Sequence, residues 1–372
     1  MAHIEPFRIA IPDEVLADLK ERLVRTRWPE AETVDDWSQG IPLAYTRELA
    51  AYWADEYDWR AREAALNRFD QFTTDIDGLP IHFVHQRSTR DDAFPLIITH
   101  GWPGSIVEFA KVIEPLNDAG FHVVCPSLPG YGFSGKPAHT GWGVHRIAEA
   151  WDQLMVRLGY QRYGAQGGDW GAAVTTQIGR NVGHCVAIHT NMPFGRPPEN
   201  LTDLTDDQRQ ALTSMEHYRR WDSGYFKQQS TRPQTLGYGL TDSPVGQMAW
   251  IVEKFWSWMD TTSSTRPGHP ENVLTKDELL DNVMLYWTTG TAASSARLYW
   301  ESANSFGKGD RVTLPTGVAA FPHEIGRAPR EWCEGNYTIT RWTEMPRGGH
   351  FAAFEQPELF ADDVSAFFAE FR

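Results

Sequence analysis

Short apolar runs separated by segments of helical length are the feature that most constrains the fold of this chain of 372 residues. Asp77-Gly78 separates the first two runs, and this dipeptide suits the tight turn of an antiparallel hairpin. Short runs between helices indicate buried parallel strands joined by right-handed crossovers. The sequence therefore predicts an α/β fold with a mostly parallel eight-stranded sheet and helices on both faces. The predicted strands are 71–76, 79–85, 95–99, 121–125, 163–166, 185–189, 316–321 and 337–342.

Two other parts of the chain lack this strand pattern. Apolar residues recur at helical spacing in 12–28 and 42–57, which predicts helices ahead of the sheet. Between 189 and 316 no comparable strand occurs, and this stretch is helical by pattern and dense in aromatic residues. We predict a wrapping segment at 1–70, a core at 71–193 and 311–372, and an inserted helical cap at 194–310.

Composition excludes several classes of partner. The formal net charge of -15 opposes nucleic acid and anionic membrane surfaces. Cys125, Cys185 and Cys333 are odd in number and far apart, so they imply neither a disulfide framework nor a thiolate metal site. No apolar run reaches the roughly 18 residues of a spanning helix. We expect a soluble, cytoplasmic protein that needs no metal or cofactor, and the sequence leaves a homo-oligomer open.

The sequence Gly-Gly-Asp-Trp-Gly at 167–171 follows a predicted strand and precedes a segment that can be helical. This arrangement resembles the nucleophile elbow of α/β-hydrolases, with Asp169 where esterases carry serine. A glycine-rich turn capped by an aspartate is the alternative interpretation. An ionised carboxylate can attack carbon without a base, and it leaves an ester that activated water must hydrolyse. We therefore expect Asp169 to be a nucleophile in a two-step hydrolysis.

The sequence His-Gly-Trp-Pro-Gly-Ser at 100–105 follows another predicted strand. In α/β-hydrolases this loop supplies one backbone amide of the oxyanion hole, and the residue after the nucleophile supplies the other. Trp102 and Trp170 are the predicted donors, and we also expect both side chains to contact the substrate. An ordinary strand-to-helix turn is the alternative for this loop.

A histidine base is predicted in the sequence Gly-Gly-His-Phe at 348–351, which follows the last strand. His350 fits the α/β-hydrolase order of nucleophile, acid and histidine, and His323 is its nearest rival.

The acid that orients this histidine should follow the penultimate strand. Glu324 has that position, while Asp310 before the strand and Glu331 further on remain competitors. Asn191 follows an earlier strand where some hydrolases place the acid, but it has no charge to contribute.

Together these motifs resemble the microsomal type of epoxide hydrolase, and the resemblance spans nearly the whole chain. The further matching strings are Pro-Phe-Arg-Ile at 6–9, Trp-Pro at 28–29, Val-Met-Leu-Tyr-Trp-Thr-Thr-Gly-Thr at 283–291, Phe-Pro-His-Glu at 321–324, and Gly-Gly-His-Phe-Ala-Ala-Phe-Glu at 348–355. The resemblance implies that an epoxide and water become a vicinal diol through an aspartyl ester. Unlike for membrane-bound members of that type, we expect no N-terminal anchor helix.

The resemblance also implies that two cap tyrosines donate hydrogen bonds to the epoxide oxygen and act as the acid. By position in two further matching strings, Ser-Gly-Tyr-Phe at 223–226 and Arg-Leu-Tyr-Trp at 297–300, these are Tyr225 and Tyr299, with Tyr286 and Tyr238 as nearby rivals. The epoxide oxygen leaves as an alkoxide, and a phenol stabilises that charge as it develops.

Other functions share parts of this pattern. A haloalkane dehalogenase also uses an aspartate nucleophile, but halide departure needs no acid; a serine esterase does not fit Asp169. A binding protein of the same fold would have no use for a complete triad. The aromatic cap suits bulky or aryl epoxides, in detoxification or natural-product biosynthesis. Cavity shape, which the sequence does not give, sets the substrate and the stereochemistry.

Overall fold

The structure, a computed structural model, describes residues 3–199, 202–262 and 268–372. Within these ranges one sheet contains nine strands in the order β1-β2-β3-β5-β4-β6-β7-β8-β9. The strands are β1 (Ile4–Phe7), β2 (Gln71–Ile76), β3 (Leu79–Gln86), β4 (Phe94–Thr99), β5 (Phe121–Pro126), β6 (Tyr163–Gly167), β7 (Cys185–Thr190), β8 (Val312–Ala320) and β9 (Tyr337–Glu344). Strands β1, β2, β3 and β5 pair antiparallel, and the pairs from β5 across to β9 are parallel.

The helices fall in four groups along the chain. Three precede β2, three lie among the core strands, six lie between β7 and β8, and three follow β8 within the described residues. They are α1 (Asp13–Val24), α2 (Leu43–Asp55), α3 (Trp59–Leu66), α4 (Ile113–Asp118), α5 (Val144–Arg157), α6 (Asp169–Asn181), α7 (Asp206–His217), α8 (Gly224–Thr231), α9 (Pro233–Asp242), α10 (Pro244–Trp258), α11 (Lys276–Thr289), α12 (Ala292–Ser302), α13 (Arg330–Cys333), α14 (Ala352–Glu355) and α15 (Pro357–Phe368).

The predicted class and the mostly parallel sheet are confirmed, but the predicted count of eight strands is wrong. Strand β1 was missed because it is four residues long and contains Pro6, which cannot donate to a ladder and is tolerated at a sheet edge. The predicted hairpin is present, and Asp77 and Gly78 both have positive φ, at 53° and 80°. These values are those of the tight turn expected for Asp-Gly.

The parallel strands place the site because their carboxyl ends meet at one edge of the sheet. All of β6 is buried, and the helix that follows it is buried from Asp169 to Gly179. A Cβ on Gly164 would lie 2.4 Å from the ring of Phe368, so α15 packs directly against β6. The loops after β4, β6, β8 and β9 therefore project from a sheet whose central strands are largely buried.

The N-terminal helices pack against the helices between β7 and β8. Tyr57 donates to Asp281 at 2.8 Å, Arg62 Nε donates to the same carboxylate at 2.9 Å, and Trp53 Nε1 lies 3.3 Å from Met284 Sδ. These contacts hold α11, in the predicted cap, against the predicted wrapping segment. The boundaries at 70, 193 and 310 stay predictions.

Two general expectations can be compared with the described residues. Cys125, Cys185 and Cys333 are each buried and free. None of the helices that the structure describes has the length and apolar character needed to cross a bilayer.

Candidate active site

Asp169 stands on a strained turn between β6 and α6. Its φ is 50°, a left-handed value that is uncommon for a residue with a side chain, and it is 9% exposed. The flanking glycines are required by space: a Cβ on Gly167 would lie 2.2 Å from the carbonyl oxygen of Gly171, and one on Gly171 would lie 1.9 Å from that of Thr99. The predicted elbow is thus present, with its carboxylate at the carboxyl edge of the sheet.

The backbone after β4 holds one oxygen of this carboxylate. The amide of Trp102 donates to Oδ1 of Asp169 at 2.8 Å, and the Trp102–Pro103 peptide bond is cis. Trp170 is the second residue of α6, where amides lack a partner within the helix. An anion at a helix N-terminus is also favoured by the helix dipole. Of the two predicted amides, that of Trp102 therefore bonds to the Asp169 carboxylate, and that of Trp170 follows Asp169 directly at the start of α6.

His350 and Glu324 complete a line that ends at Asp169. His350 Nδ1 lies 2.6 Å from Glu324 Oε1, and its Nε2 lies 3.3 Å from Asp169 Oδ2. All three side chains are nearly buried. Burial lowers the pKa of His350, but the charge of Glu324 and the contacts with Asp169 and Glu324 outweigh it and raise that pKa well above its usual value. Both carboxylates thus favour the charged imidazolium.

The rival residues lie elsewhere. His323 pairs with Asp260 at 3.3 Å, and its side chain is 41% exposed. Asp310 and Glu331 are exposed. Asn191 lies close to the site, where its side-chain oxygen accepts a hydrogen bond from Gln166 Nε2 at 3.0 Å and is not hydrogen-bonded to His350.

Glu355, to which the sequence assigned no role, fixes the loop that carries His350. Its carboxylate accepts from the amides of Gly349 at 3.0 Å, Phe351 at 2.9 Å and Asp260 at 2.8 Å. Burial raises the pKa of Glu355 to about 7, against the effect of these donors. The amide of His350 also donates to the carbonyl oxygen of Trp258 at 2.9 Å. The backbone amides of residues 349, 350 and 351 are therefore all hydrogen-bonded, which fixes the loop that carries the base.

Glu108 is a second buried carboxyl that the sequence did not single out. It lines a cavity of about 20 Å³ together with Asp169, His350, Gln166 and Asn191. This volume suits about one water molecule. Burial raises the pKa of Glu108 to about 8, opposed by His350 and reinforced by Asp169. The only local signal was a glutamate three residues after Ser105, the spacing of a capping box.

Tyr225 and Tyr299 lie in the cap and line one cavity with Asp169. Both are buried, and the Tyr299 hydroxyl has no hydrogen-bond partner among the described residues. Burial, followed by nearby phenols and Asp169, raises the pKa of each well above its usual value, so both carry their protons. The rival Tyr286 donates to the carbonyl oxygen of Gly104 at 2.7 Å, and the rival Tyr238 is 70% exposed.

The two predicted tryptophan side chains differ in their contacts. The ring of Trp102 stacks on that of Tyr225 with centroids 5.0 Å apart, and it lines the small cavity. Trp170 lines the cap cavity and meets Tyr299 edge-on at 4.8 Å. Trp170 can thus contact a ligand directly, while Trp102 supports the ring of a cap tyrosine.

The cap cavity has a volume of about 210 Å³ and is mostly apolar. Besides the groups already named, its side chains come from α7, α8 and the loops after β7, α12 and β8. They are Met192, Met215, Tyr218, Phe226, Phe306 and Ile325. Asp169 is the one acidic or basic side chain among the residues that line this cavity, so the cavity suits an uncharged, apolar group.

Comparisons with known proteins agree with this geometry. The model of the epoxide hydrolase N terminus matches residues 4–109, and that of the alpha/beta hydrolase fold matches residues 95–235. The chain is 51% identical to a Stigmatella aurantiaca protein provisionally named an epoxide hydrolase, over 99% of this chain and 86% of that one. It is 37% identical to epoxide hydrolase 1 of Sus scrofa, over 98% and 88%.

Solved structures give the same result for the three-dimensional arrangement. The Aspergillus niger epoxide hydrolase superposes with a TM-score of 0.91 at 35% identity, covering 99% of this chain and 96% of that one. The juvenile hormone epoxide hydrolase of Bombyx mori superposes with a TM-score of 0.92 at 33% identity, covering 100% and 95%. The predicted α/β-hydrolase fold is confirmed.

Gly101→Ala should displace the Asp169 carboxylate without unfolding the protein. A Cβ on Gly101 would lie 2.0 Å from Asp169 Oδ1, so the carboxylate must leave the Trp102 amide. A shift of this size costs on the order of 100-fold in rate. Rapid-quench measurement of the alkylation of Asp169 by styrene oxide checks this. Gly183→Ala, where a Cβ meets open space, is the matched control; equal rates in both variants would contradict the expectation.

Proposed function

The chain belongs to the epoxide hydrolase family, and from this premise we propose that Asp169 attacks the epoxide and His350 activates the water that releases the diol. The observation that carries the proposal is the buried line from Glu324 through His350 to Asp169, with contacts of 2.6 and 3.3 Å. A nucleophile, a base and an acid that orients the base are thus in contact in that order.

In the first step, Oδ2 of Asp169 attacks a ring carbon. Oδ1 is held by the Trp102 amide at 2.8 Å, whereas Oδ2 has only the longer contact of 3.3 Å to His350 Nε2 and is the freer oxygen. The C–O bond of the epoxide breaks, and its oxygen takes a proton from a cap tyrosine. Tyr225 and Tyr299 are the proposed donors because both line the cavity that Asp169 enters and both are protonated. A dehalogenase would gain nothing from this pair.

In the second step, water attacks Cγ of the ester. Oδ1 is now the carbonyl oxygen, so the negative charge of the tetrahedral intermediate develops at the Trp102 amide, and we assign the Trp170 amide as the second donor. The ester no longer carries the charge of Asp169, which had raised the pKa of His350, so that pKa falls. The imidazolium then releases its proton to solvent and regains one when Asp169 is ionised again. Neutral His350 takes the proton of the water, and Glu324 stabilises the resulting imidazolium.

We assign the water of this step to the cavity of about 20 Å³ beneath Asp169. It is lined by Asp169, His350 and Glu108, so a water there lies beside both the nucleophile and the base. Glu108, with its pKa raised to about 8, can donate or accept a hydrogen bond to that water near neutral pH. Water and epoxide therefore have separate places in the proposed site.

For the substrate, we propose epoxides with a bulky apolar or aryl substituent. The cap cavity of about 210 Å³ is lined by two methionines, two phenylalanines, an isoleucine and a tryptophan in addition to its tyrosines. Edge and face contacts with these rings favour an aromatic group. We further propose a cytoplasmic location, which is supported by three buried free cysteines; the possibility of a homo-oligomer stays a prediction.

His350→Gln should trap the covalent intermediate. The variant keeps Asp169 and the cap tyrosines, so alkylation proceeds, but no base activates water. Mass spectrometry of the intact protein after mixing with styrene oxide should show the mass of one added substrate on the peptide that contains Asp169. His323→Gln is the matched control and should turn over normally. Normal turnover by His350→Gln, or the adduct on another residue, would contradict the proposed roles.

The proposed substrate class predicts a preference among simple terminal epoxides. We expect (2,3-epoxypropyl)benzene to exceed glycidol in kcat/KM by about 10- to 100-fold, because burying a phenyl group contributes about 1.5 to 3 kcal/mol. Met215→Gln places a polar amide of similar size in the cavity and should reduce this ratio while leaving the glycidol value unchanged. A wild-type ratio near one would contradict the substrate class.

A further inference from the structure

Tyr218 is a third cap phenol beside the site, and the two-step chemistry described above gives it no role. Its hydroxyl lies 2.9 Å from that of Tyr225, and both residues line the cap cavity. Tyr218 begins a π-helical turn, Tyr218–Asp222, between α7 and α8. Such turns are rare and occur frequently at functional sites. This turn thus places Tyr218 in the cap cavity, beside Asp169 and Tyr225.

The direction of the hydrogen bond between the two phenols is fixed when a substrate is bound. Tyr225 has one hydroxyl hydrogen, and if this hydrogen goes to Tyr218, none remains for the epoxide. Tyr225 can serve as the acid only if it accepts from Tyr218 at the same time. The result is a chain in which Tyr218 donates to Tyr225 and Tyr225 donates to the epoxide oxygen. Each bond in such a chain polarises the next.

The surroundings of the two proposed acids are not equivalent. The Tyr299 hydroxyl is buried and makes no hydrogen bond within the described part of the chain; the Trp170 side chain is the one donor that lowers its pKa, and that effect is the smallest of those acting on Tyr299. Tyr225 has the Tyr218 hydroxyl at its oxygen and the Lys254 ammonium 5.3 Å from its ring centroid. A cation over an aromatic face is attracted to its electrons, and more so when the ring carries negative charge.

The charged groups that face this pair come from the core and from the cap. Asp169 faces both phenols from the core. Asp222 holds Lys254 Nζ at 2.7 Å, and Glu253 lies 2.8 Å from the same ammonium. The carboxylates oppose ionisation of Tyr225, and so does Tyr218 while Tyr225 donates to it. When a bound epoxide reverses that hydrogen bond, the Tyr218 hydroxyl joins Lys254 in favouring the Tyr225 phenolate.

We propose that Tyr225, and not Tyr299, gives up its proton during ring opening, and that Tyr218 is the positioning residue that stabilises the phenolate Tyr225 becomes. This inference rests on the proposed function, in which the cap tyrosines act in the first step. As the epoxide C–O bond breaks, its electron pair stays on oxygen and takes the Tyr225 proton. The proton that the Asp169 carboxyl group loses after ester hydrolysis restores Tyr225. Tyr299 donates a hydrogen bond and keeps its proton.

A double-mutant cycle tests this assignment in the full-length protein. Tyr218→Phe should slow alkylation by about ten-fold, the value of one neutral hydrogen bond, and leave ester hydrolysis unchanged. In a Tyr225→Phe background, Tyr218→Phe should add nothing; in a Tyr299→Phe background its full effect should persist. Rapid-quench alkylation with styrene oxide gives all these rates. Tyr238→Phe, at an exposed position of the cap, is the matched control.

The pH profile of alkylation separates this role from packing. Tyr225 must be protonated to act. Tyr218 raises the pKa of Tyr225 in the free protein, but at saturating epoxide, where Tyr218 is the donor, it lowers that pKa. Tyr218→Phe should therefore move the alkaline limit of alkylation to higher pH, whereas lost packing would not move it. An unshifted limit, an unchanged rate, or an equal effect in the Tyr225→Phe background would overturn the role of Tyr218 while leaving the proposed function intact. Normal alkylation by Tyr225→Phe would overturn the proposed acid and this inference together.

Discussion

The buried carboxylate of Asp169 is the constraint on which the other parts of the site depend. A carboxylate removed from water is costly unless donors or an opposite charge compensate for it. Here the compensation comes from the Trp102 amide, the N-terminus of α6 and the imidazole of His350. Because two of these are backbone features, they hold the nucleophile in one orientation without neutralising it. The third is the base, whose proton affinity then depends on whether Asp169 is free or esterified.

The cap contributes to this arrangement as well as covering it. Trp258 donates Nε1 to Asp222 at 2.6 Å, accepts the His350 amide through its carbonyl oxygen at 2.9 Å, and packs its ring against the imidazole at 5.2 Å. Its ring also lies 5.0 Å from that of Tyr225. Trp258 therefore contacts both the proposed acid Tyr225 and the base His350, so a shift of the cap would disturb both steps of the reaction.

The sequence predicted those site residues that stand in a recognisable motif or directly after a strand. The elbow around Asp169 and the His-Gly-Trp-Pro loop each carry their signal in a few consecutive residues. The close approaches that require their glycines are nevertheless made across the fold, such as Gly171 to the Thr99 carbonyl oxygen and Gly101 to the Asp169 carboxylate. Glu324 was placed by its position after a strand, and it meets His350 at 2.6 Å. Glu108, Glu355 and Tyr218 could not be identified in this way, because each becomes relevant only through contacts made across the fold.

The same distinction holds for the secondary structure. The Asp-Gly turn and the short apolar runs predicted β2 to β9 to within a few residues, except that β8 begins at Val312 and not at 316. Strand β1 could not be predicted, because its pairing partner β2 lies far along the chain and Pro6 argues against a strand. Helix α1 ends at Val24, earlier than the predicted 28, and Val24 is 81% exposed because it belongs to no packed face.

The covalent role of Asp169 is tested most directly by a single turnover in water enriched in oxygen-18, with enzyme in excess over styrene oxide. If water attacks Cγ of an aspartyl ester, the first diol carries the oxygen that Asp169 held before the reaction. The label should then appear in the carboxylate of the peptide that contains Asp169, as read by mass spectrometry, and be absent from the diol. Label in the first-turnover diol, with none in Asp169, would show direct attack of water on the epoxide and contradict the ester mechanism.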